Sequence, residues 1–116
     1  METLSGKRKH QLLTQELRGK LPALLDQPLE GQELIAQVKF FSPYSNWTWY
    51  AIEFDGEDTF YGLVHGFEME YGYFSYSELE TLTAFGGVPA VERDLHWSPR
   101  PAKEIASEIR KRGVAV

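Results

Sequence analysis

Residues 40–64 read FFSPYSNWTWYAIEFDGEDTFYGLV, and the alternation of aromatic runs with turn residues in this stretch decides the fold. Residues 42–46 (SPYSN) form a first turn cluster, in which proline and asparagine favour a change of chain direction. Asp55-Gly56 lies between two β-rich runs, which is the strongest short-range signal for a hairpin. The stretch therefore predicts successive antiparallel strands joined by tight turns.

The strand between these turns, Trp47 to Phe54, carries large side chains on both faces. One face presents Thr48, Tyr50, Ile52 and Phe54, and the other presents Trp47, Trp49, Ala51 and Glu53. Because both sets include bulky apolar groups, we expect both faces of this strand to be at least partly covered.

Further strands are predicted on either side by alternating apolar residues. They run from Leu34 to Phe40, from Thr59 to about Met69, from Tyr73 to Tyr76 after a turn at residues 70–72, and from Val91 to Trp97. Gly62 and Gly66 fall inside the strand that starts at Thr59. Glycines inside a strand indicate bulges or close packing against a large aromatic ring.

Three short helices are predicted, two of them by capping residues. Thr14 is a good N-cap for a helix that Pro22 limits to about two turns. Residues 77–80 (SELE) match the capping box, with Ser77 as the cap of a middle helix. A last helix is predicted from Ala102 to Arg112, and Gly113 is expected to end it.

Together these elements predict an α+β fold: a mainly antiparallel meander sheet of about five strands with short N-terminal, middle and C-terminal helices. Residues 1–10 are polar and are predicted to be a disordered lead-in. Residues 11–113 are predicted to form a single α+β domain, and their number is near the commonest domain size.

The composition excludes several kinds of site. The 116 residues include no cysteine, so disulfides, thiol nucleophiles and thiolate metal ligands are excluded. No apolar run approaches the ~20 residues that a membrane span needs, and the polar N-terminus lacks the apolar core of a secretory signal. We therefore expect a cytoplasmic protein with no membrane partner, no cofactor and no metal.

The formal charge of −5 is divided unevenly along the chain. Residues 1–20 carry five basic and two acidic groups, and residues 93–116 carry six basic and three acidic groups. Residues 21–92 carry one basic group, Lys39, against twelve acidic groups. Ordinary solvated faces explain this pattern. The alternative is an acidic aromatic face, which repels nucleic acid and favours a basic protein partner.

Four carboxylates surround the predicted hairpin turn: Glu53, Asp55, Glu57 and Asp58. Oxygen-rich loops bind Ca²⁺ or Mg²⁺, and close carboxylates raise one another's pKa for acid–base chemistry. The spacing is not that of an EF-hand, which needs a longer loop closed by a bidentate Glu. A solvated hairpin tip is the preferred interpretation, with a metal site and catalysis as alternatives.

A second set of candidates lies in the last predicted strand. Glu92, Asp94 and His96 share one face, where they match a metal-ligand set or a carboxylate that orients a histidine. Exposed polar alternation explains them equally well. Arg93 lies on the apolar face, so we expect it to pair with a carboxylate such as Glu53, or to recognise a ligand.

Seven aromatic residues form a candidate stacking surface: Trp47, Trp49, Tyr50, Tyr61, Tyr71, Tyr73 and Tyr76. Stacking surfaces for single-stranded nucleic acid usually lie beside a basic groove, and this chain has no Lys or Arg between Lys39 and Arg93. Most of these rings are predicted to be core. Those that remain exposed suit a protein-binding site.

The segment from Phe40 to Leu95 resembles an uncharacterised bacterial family, domain of unknown function 2958. The matching strings include VKFF at 38–41, SNWTWYA at 45–51, EFDGEDTF at 53–60, GLV at 62–64, GYFS at 72–75, SELE at 77–80 and ERDL at 92–95. The likeness covers most of residues 12–97. It implies a small, soluble, single-domain bacterial protein of a kind often encoded on mobile elements, with no catalytic residues to carry over.

These observations favour a non-enzymatic interaction module that binds a protein partner through an acidic aromatic sheet face. The residues predicted to contact the partner are Trp47, Trp49, Tyr61, Tyr73, Glu53, Asp55, Glu57, Asp58 and Arg93. The first alternative is a nucleic-acid-binding protein that uses the aromatic face together with its basic termini. The second is a small metal-dependent hydrolase that uses the carboxylates of residues 53–58 or the set Glu92, Asp94 and His96.

Overall fold

The computed structural model describes residues 10–24 and 34–114. Of the predicted lead-in, His10 lies among the described residues and the rest lies outside them. The described residues form three α-helices and seven strands. The helices are α1 (Gln15–Lys20), α2 (Tyr76–Thr81) and α3 (Ala102–Val114). The strands are β1 (Ile35–Ala36), β2 (Val38–Phe41), β3 (Thr48–Phe54), β4 (Thr59–His65), β5 (Met69–Ser75), β6 (Glu92–Arg93) and β7 (Arg100–Pro101).

Five of the strands form one antiparallel sheet in the order β5-β4-β3-β2-β6. β2 to β5 follow one another as a meander, so the predicted α+β class and antiparallel meander are confirmed. β1 and β7 pair in a separate two-stranded ladder. The predicted strand from Leu34 to Phe40 is thus divided at Gln37, whose backbone N–H still donates to the carbonyl of Ala51 at 2.8 Å.

The N-terminal and middle helices cover one face of the sheet. Thr14 caps α1 as predicted, because its hydroxyl accepts the N–H of Leu17 at 3.2 Å, and the helix ends before Pro22. Side chains from β2, β3 and β4 pack here against α2 and against residues that flank α1. The buried members of this core are Leu12, Leu13, Leu21, Val38, Phe40, Trp49, Ala51, Phe54, Phe60, Leu79 and Val91.

α3 covers the opposite face at the centre of the sheet. The helix contributes Ile105, Ala106 and Ile109 to this core, and the sheet contributes Tyr50 and Leu63. The apolar residues of α3 recur every three or four positions, which places them on one side of the helix. β3 is therefore buried on both faces from Trp49 to Phe54, as its sequence predicts.

β3 contains a β-bulge that changes the face on which its last residues lie. The register against β4 shifts between Ala51 and Glu53, which makes Ile52 the extra residue. Glu53 consequently lies opposite Tyr61, on the other side of the sheet from Trp49, and the prediction that Glu53 shares the face of Trp49 is wrong. One extra residue moves every later side chain to the other face, and simple alternation does not reveal it.

The turn between β4 and β5 lies at residues 66–68, so the strand predicted from Thr59 to Met69 ends early. Gly66 lies against the indole ring of Trp47, which leaves no room for a Cβ. The turn predicted at residues 70–72 is wrong, because these residues pair regularly with β4. Glutamate and glycine weaken the strand signal there, and pairing with a neighbouring strand overrides that local preference.

One helix start and one helix end also differ from the prediction. Ser75, rather than Ser77, is the N-cap of α2, because its hydroxyl accepts the N–H of Glu78 at 3.2 Å. The Ser-x-x-Glu pattern occurs in two overlapping copies, and the earlier copy forms the cap. α3 does not stop at Gly113 but continues to Val114.

Replacing Gly62 by alanine is expected to destabilise the sheet, because the new Cβ overlaps the backbone carbonyl of Tyr50 on β3. We expect the free energy of unfolding to fall by about 1–3 kcal/mol, the usual cost of overpacking. Gly72→Ala is the matched control, since Gly72 lies directly opposite on β5 and has open space at its Cβ position. Urea denaturation measures both variants, and equal stabilities would contradict the close approach of β4 to β3.

Candidate functional site

The hairpin between β3 and β4 is held by the side chain of Asp55. Its Oδ1 accepts the backbone N–H groups of Glu57 at 2.8 Å, Asp58 at 2.8 Å and Thr59 at 3.0 Å. Gly56 has φ 90°, a left-handed conformation that glycine adopts without steric strain. The three N–H donors hold the pKa of Asp55 below its usual value, and the N–H of Glu57 has the largest effect.

Asp58 joins the same hairpin to the start of α2. Its carboxylate accepts hydrogen bonds from the Ser75 hydroxyl at 2.6 Å, the Ser77 hydroxyl at 3.0 Å and the Ser77 backbone N–H at 2.8 Å. A negative charge at this end of a helix is also favoured by the helix dipole. These hydrogen bonds lower the pKa of Asp58, and the one from the Ser75 hydroxyl has the largest effect.

The four carboxylates around the hairpin do not converge on one point. Asp55 accepts hydrogen bonds within the turn, Asp58 accepts them from the start of α2, and Glu57 is exposed. Glu53 is only 2% exposed and lies opposite Tyr61. Within residues 10–24 and 34–114, no three His, Asp or Glu side chains are grouped in a way that could hold a metal ion. The hydrogen bonds of Asp55 and Asp58 give these two carboxylates a structural role.

The candidates in the last predicted strand are separated, because β6 is only two residues long. Beyond β6, the Asp94 carboxylate accepts the backbone N–H of His96 at 2.9 Å and forms an ion pair with Lys39 at 3.7 Å. A side-chain bond of this kind to the residue two positions on is typical of a turn. Asp94 and His96 thus do not share a strand face with Glu92, and the predicted row is wrong.

Arg93 is half-buried and lies opposite Phe40 across β2 and β6. Phe40 in turn lies opposite Trp49, and Glu53 is four residues further along β3. At the usual rise of a strand, that separation is about 13 Å. The predicted pairing of Arg93 with Glu53 is therefore wrong.

An open pocket of about 230 Å³ lies between α1 and the segment that follows β6. Its lining residues include Arg93 together with Glu16 and Asp94. Residues of both charges thus line the pocket, and Asp94 is already paired with Lys39 outside it. It carries no functional assignment.

Most of the predicted stacking surface belongs to the core. Trp49 and Tyr50 are buried on opposite faces of β3, and Tyr76 packs edge-on against Phe54 with ring centroids 6.4 Å apart. Trp47 is half-buried beside Trp49, with ring centroids 5.9 Å apart. These rings therefore do not form a continuous exposed platform.

The other three rings, Tyr61, Tyr71 and Tyr73, form a group that we call the tyrosine cluster. Tyr61 on β4 is half-buried, and its ring centroid lies 6.4 Å from that of Tyr71 and 5.2 Å from that of Tyr73. Tyr71 is 41% exposed and Tyr73 is 61% exposed. Because they stand two residues apart on β5, both side chains lie on the same face of the sheet.

Tyr71 is not among the residues that the sequence predicts to contact a partner. Its sequence neighbours predict a turn at this position, whereas Tyr71 lies within β5. The signal that indicates the correct position is the period-two spacing of Met69, Tyr71 and Tyr73, which is typical of one strand face. The glycine between the two tyrosines obscures that signal, because glycine weakens a strand prediction.

Burial raises the pKa of Tyr61 and of Tyr71 above the usual tyrosine value. For Tyr61, the neighbouring Tyr71, Tyr73 and Glu53 act in the same direction. For Tyr71, the charge of Arg110 on α3 acts in the opposite direction. Both hydroxyls are protonated at neutral pH, so each is able to donate and to accept a hydrogen bond.

Carboxylates predominate in the chain segment that contains the tyrosine cluster. In residues 40–92 the exposed ones are Asp55, Glu57, Glu68, Glu70, Glu78, Glu80 and Glu92. No Lys or Arg occurs between Lys39 and Arg93. α3 packs onto the same face of the sheet from outside this segment and brings Arg110 near Tyr71. The exposed charged residues of residues 40–92 are thus acidic, and the last turns of α3 carry the exposed basic residues Arg110, Lys111 and Arg112.

The sequence from residue 12 to residue 113 matches a family model described as Protein of unknown function (DUF2958). The chain belongs to this family. The match confirms the resemblance and also includes α3, which lies beyond the expected limit at residue 97. No curated protein and no solved structure matches this DUF2958 chain. Among its described helices, none is long and apolar enough to cross a membrane.

For this DUF2958 protein we expect Asp58→Ala to lower the melting temperature, because Ser75 and Ser77 lose the acceptor that fixes the start of α2. Glu57→Ala is the matched control, since Glu57 is exposed and contacts Asp55 through its backbone N–H. Thermal unfolding followed by circular dichroism measures the difference. Equal melting temperatures for the two variants would exclude the capping role of Asp58.

The same variants give a pH dependence whose sign follows from the lowered pKa of Asp58. In the unfolded chain an aspartate titrates near pH ~4. The folded state keeps this carboxylate deprotonated to lower pH, so its contribution is complete above pH ~4 and is lost as the pH falls through the folded pKa. The melting-temperature difference between wild type and Asp58→Ala should therefore narrow on acidification.

Proposed function

We propose that the protein is a non-enzymatic interaction module that binds a basic segment of a partner protein through the tyrosine cluster and the carboxylates near it. The observation that carries this proposal is the exposure of Tyr71 and Tyr73, 41% and 61%, beside Tyr61 on two regular strands. Tyrosine is among the residues most enriched at energetically important positions of protein interfaces.

The tyrosine cluster is held in place before any partner binds. Tyr71 and Tyr73 stand on β5, which pairs with β4 along its whole length, and the ring of Tyr61 contacts both. A tyrosine side chain has few rotatable bonds, so its contact with a partner costs little conformational entropy. This rigidity supports a role as a binding surface.

The charge of the surrounding segment supports a basic partner. Glu68 and Glu70 are exposed on either side of Met69, and Glu70 lies on the face of β5 opposite to that of Tyr71. Complementary charge speeds the encounter of two proteins and disfavours partners of the wrong sign. Because such charges are exposed, we expect the association rate to fall as the salt concentration rises.

The proposed surface uses two of the residues that the sequence predicts, Tyr61 and Tyr73. Two others, Trp49 and Glu53, are buried and offer no surface to a partner. The remaining residues of that prediction lie at the hairpin, beside the turn after β4 or at the pocket beside α1: Asp55, Glu57, Asp58, Trp47 and Arg93.

The double variant Tyr71→Ser/Tyr73→Ser is expected to lose the partner. Tagged wild type and variant are purified in parallel, with and without nuclease, from a bacterial host, which the family resemblance implies. We expect wild type to retain a stoichiometric, nuclease-resistant protein, and the variant to retain at least ~10-fold less, as truncated interface anchors do. Tyr44→Ser, 60% exposed between β2 and β3, is the matched control and should retain the partner.

Equal recovery of the partner with wild type and with the double variant would remove the tyrosine cluster from the interface. Loss of the partner from the control variant as well would attribute the effect to altered solubility or folding. Far-UV circular dichroism of each purified protein distinguishes these cases, because serine at an exposed strand position leaves the sheet intact.

One observation favours a second function, which is nucleic-acid binding. α3 packs on the face that carries the tyrosine cluster, and its last turns bear Arg110, Lys111 and Arg112. Arg110 acts electrostatically on Tyr71, and Arg112 acts on Tyr50. Basic groups beside exposed aromatic rings are typical of proteins that bind single-stranded nucleic acid.

Nucleic-acid binding predicts that a labelled single-stranded oligonucleotide binds with an affinity that falls steeply as salt increases. Arg110→Glu/Lys111→Glu should then abolish the anisotropy change. Lys103→Glu, on the first turn of the same helix, is the matched control and should bind nearly as wild type does. Absence of oligonucleotide binding by wild type at low salt would exclude this function.

A further inference from the structure

The position of β5 at the edge of the sheet indicates how a partner docks. The strand order gives β5 one neighbour, β4, and the two pair without interruption over the seven residues of β5. The opposite edge, β6, has two residues. The long edge is therefore the one that carries the tyrosine cluster.

The backbone of β5 directs unsatisfied groups away from β4. In an antiparallel pair, residues alternate between those that bond the neighbouring strand and those that face outward. The N–H of Tyr76, directly after β5, donates to the carbonyl of Asp58 at 2.7 Å and sets the phase. Counted back from Tyr76, every second residue of β5 bonds to β4 through its backbone N–H and C=O groups. The residues between them include Tyr71 and Tyr73, whose backbone N–H and C=O groups therefore lie at the open edge. Among the described residues, none bonds to these outward groups.

Apart from the charge of Glu70, β5 lacks the features by which proteins usually protect an edge strand from pairing. Such features include proline, lysine, a bulge and a very short strand. The sequence of β5, MEYGYFS, has no proline and no basic residue, and its register with β4 is regular throughout. Gly72 at its centre has no atom within 4 Å of its Cβ position, so close approach is open there.

We propose that an extended segment of the partner, containing lysine or arginine, adds to β5 as a sixth strand of the sheet. This inference rests on the proposed function and specifies its geometry. The backbone of the segment bonds the outward groups of Tyr71 and Tyr73. Its side chains on that face lie beside the two tyrosine rings, where a guanidinium or ammonium group gains a cation–π attraction.

The other face of the added strand meets carboxylates instead of rings. Glu70 is the exposed β5 residue on that face, Glu68 precedes the strand, and Glu78 follows it in α2. A segment that carries its basic residues on one face therefore complements the edge, with that face toward the tyrosine rings or toward these carboxylates. A second copy of this chain is a poorer occupant, because pairing β5 with β5 brings two acidic edges together without a basic residue from either strand.

Tyr73→Pro and Tyr73→Ala separate strand addition from simple contact with the ring. Both variants lose the ring, but only proline also removes the outward N–H, and an edge strand tolerates proline at such a position. The probe is a labelled peptide of alternating lysine and valine, about eight residues long as a typical strand is. A peptide of alternating glutamate and valine is the control. We expect Tyr73→Pro to bind the probe at least ~10-fold more weakly than Tyr73→Ala.

Amide hydrogen exchange of the wild-type protein gives a second measurement that needs no variant. In the free protein, the outward amides of Tyr71 and Tyr73 should exchange faster than those of Gly72 and Phe74, which bond to β4. Strand addition should slow exchange at Tyr71 and Tyr73 at least ~10-fold when the probe is saturating. Contact with the tyrosine rings alone leaves these two amides unprotected.

Weaker binding by Tyr73→Pro than by Tyr73→Ala, with slowed exchange at Tyr71, supports strand addition. Equal binding by the two variants with unchanged exchange overturns it and leaves the proposed function intact. Failure of wild type to bind the lysine–valine probe also overturns addition of a basic strand. If free wild type dimerises and Tyr73→Pro abolishes the dimer, addition of a partner segment is overturned in favour of pairing with a second copy of this chain. The proposed function itself fails when Tyr71→Ser/Tyr73→Ser still recovers the cellular partner.

Discussion

The burial of β3 on both faces is the constraint on which the rest of the structure depends. Six consecutive residues are buried from Trp49 to Phe54, and a strand in that position needs an apolar layer on each side. α1, α2 and the residues around them supply one layer, and α3 supplies the other. β5 lies two strands away from β3, at the margin of these layers. Its tyrosines therefore stay exposed while the rings of β3 become core.

The bulge at Ile52 connects this core to the candidate surface. Because of the bulge, Glu53 lies on the face that α3 covers, and Phe54 lies on the face that α1 and α2 cover. There the ring of Phe54 stacks on that of Phe60, with ring centroids 4.5 Å apart. The buried carboxylate then lies beside Tyr61, whose pKa is raised first by burial and further by Tyr71, Tyr73 and this carboxylate. One extra residue thus determines both the packing of an aromatic core and the chemical setting of the tyrosine cluster.

The sequence predicts the fold class and the hairpin at Asp55-Gly56 correctly, because both depend on residues close together in the chain. The errors concern contacts between distant residues. The turn at Gly66 depends on the ring of Trp47, and strand pairing rather than local composition keeps Tyr71 in β5. The candidate surface was predictable in part, since alternation indicates exposed aromatic residues, but alternation does not specify which strands the helices cover.

The unequal edges of the sheet limit the assemblies that strand pairing is able to build. A filament built by strand pairing grows only when each added molecule offers a second edge that pairs as the first one did. Here one edge has seven residues and the other has two, so the second offers no comparable template. Pairing at β5 therefore terminates at the first step, and the complexes that form this way are discrete rather than polymeric.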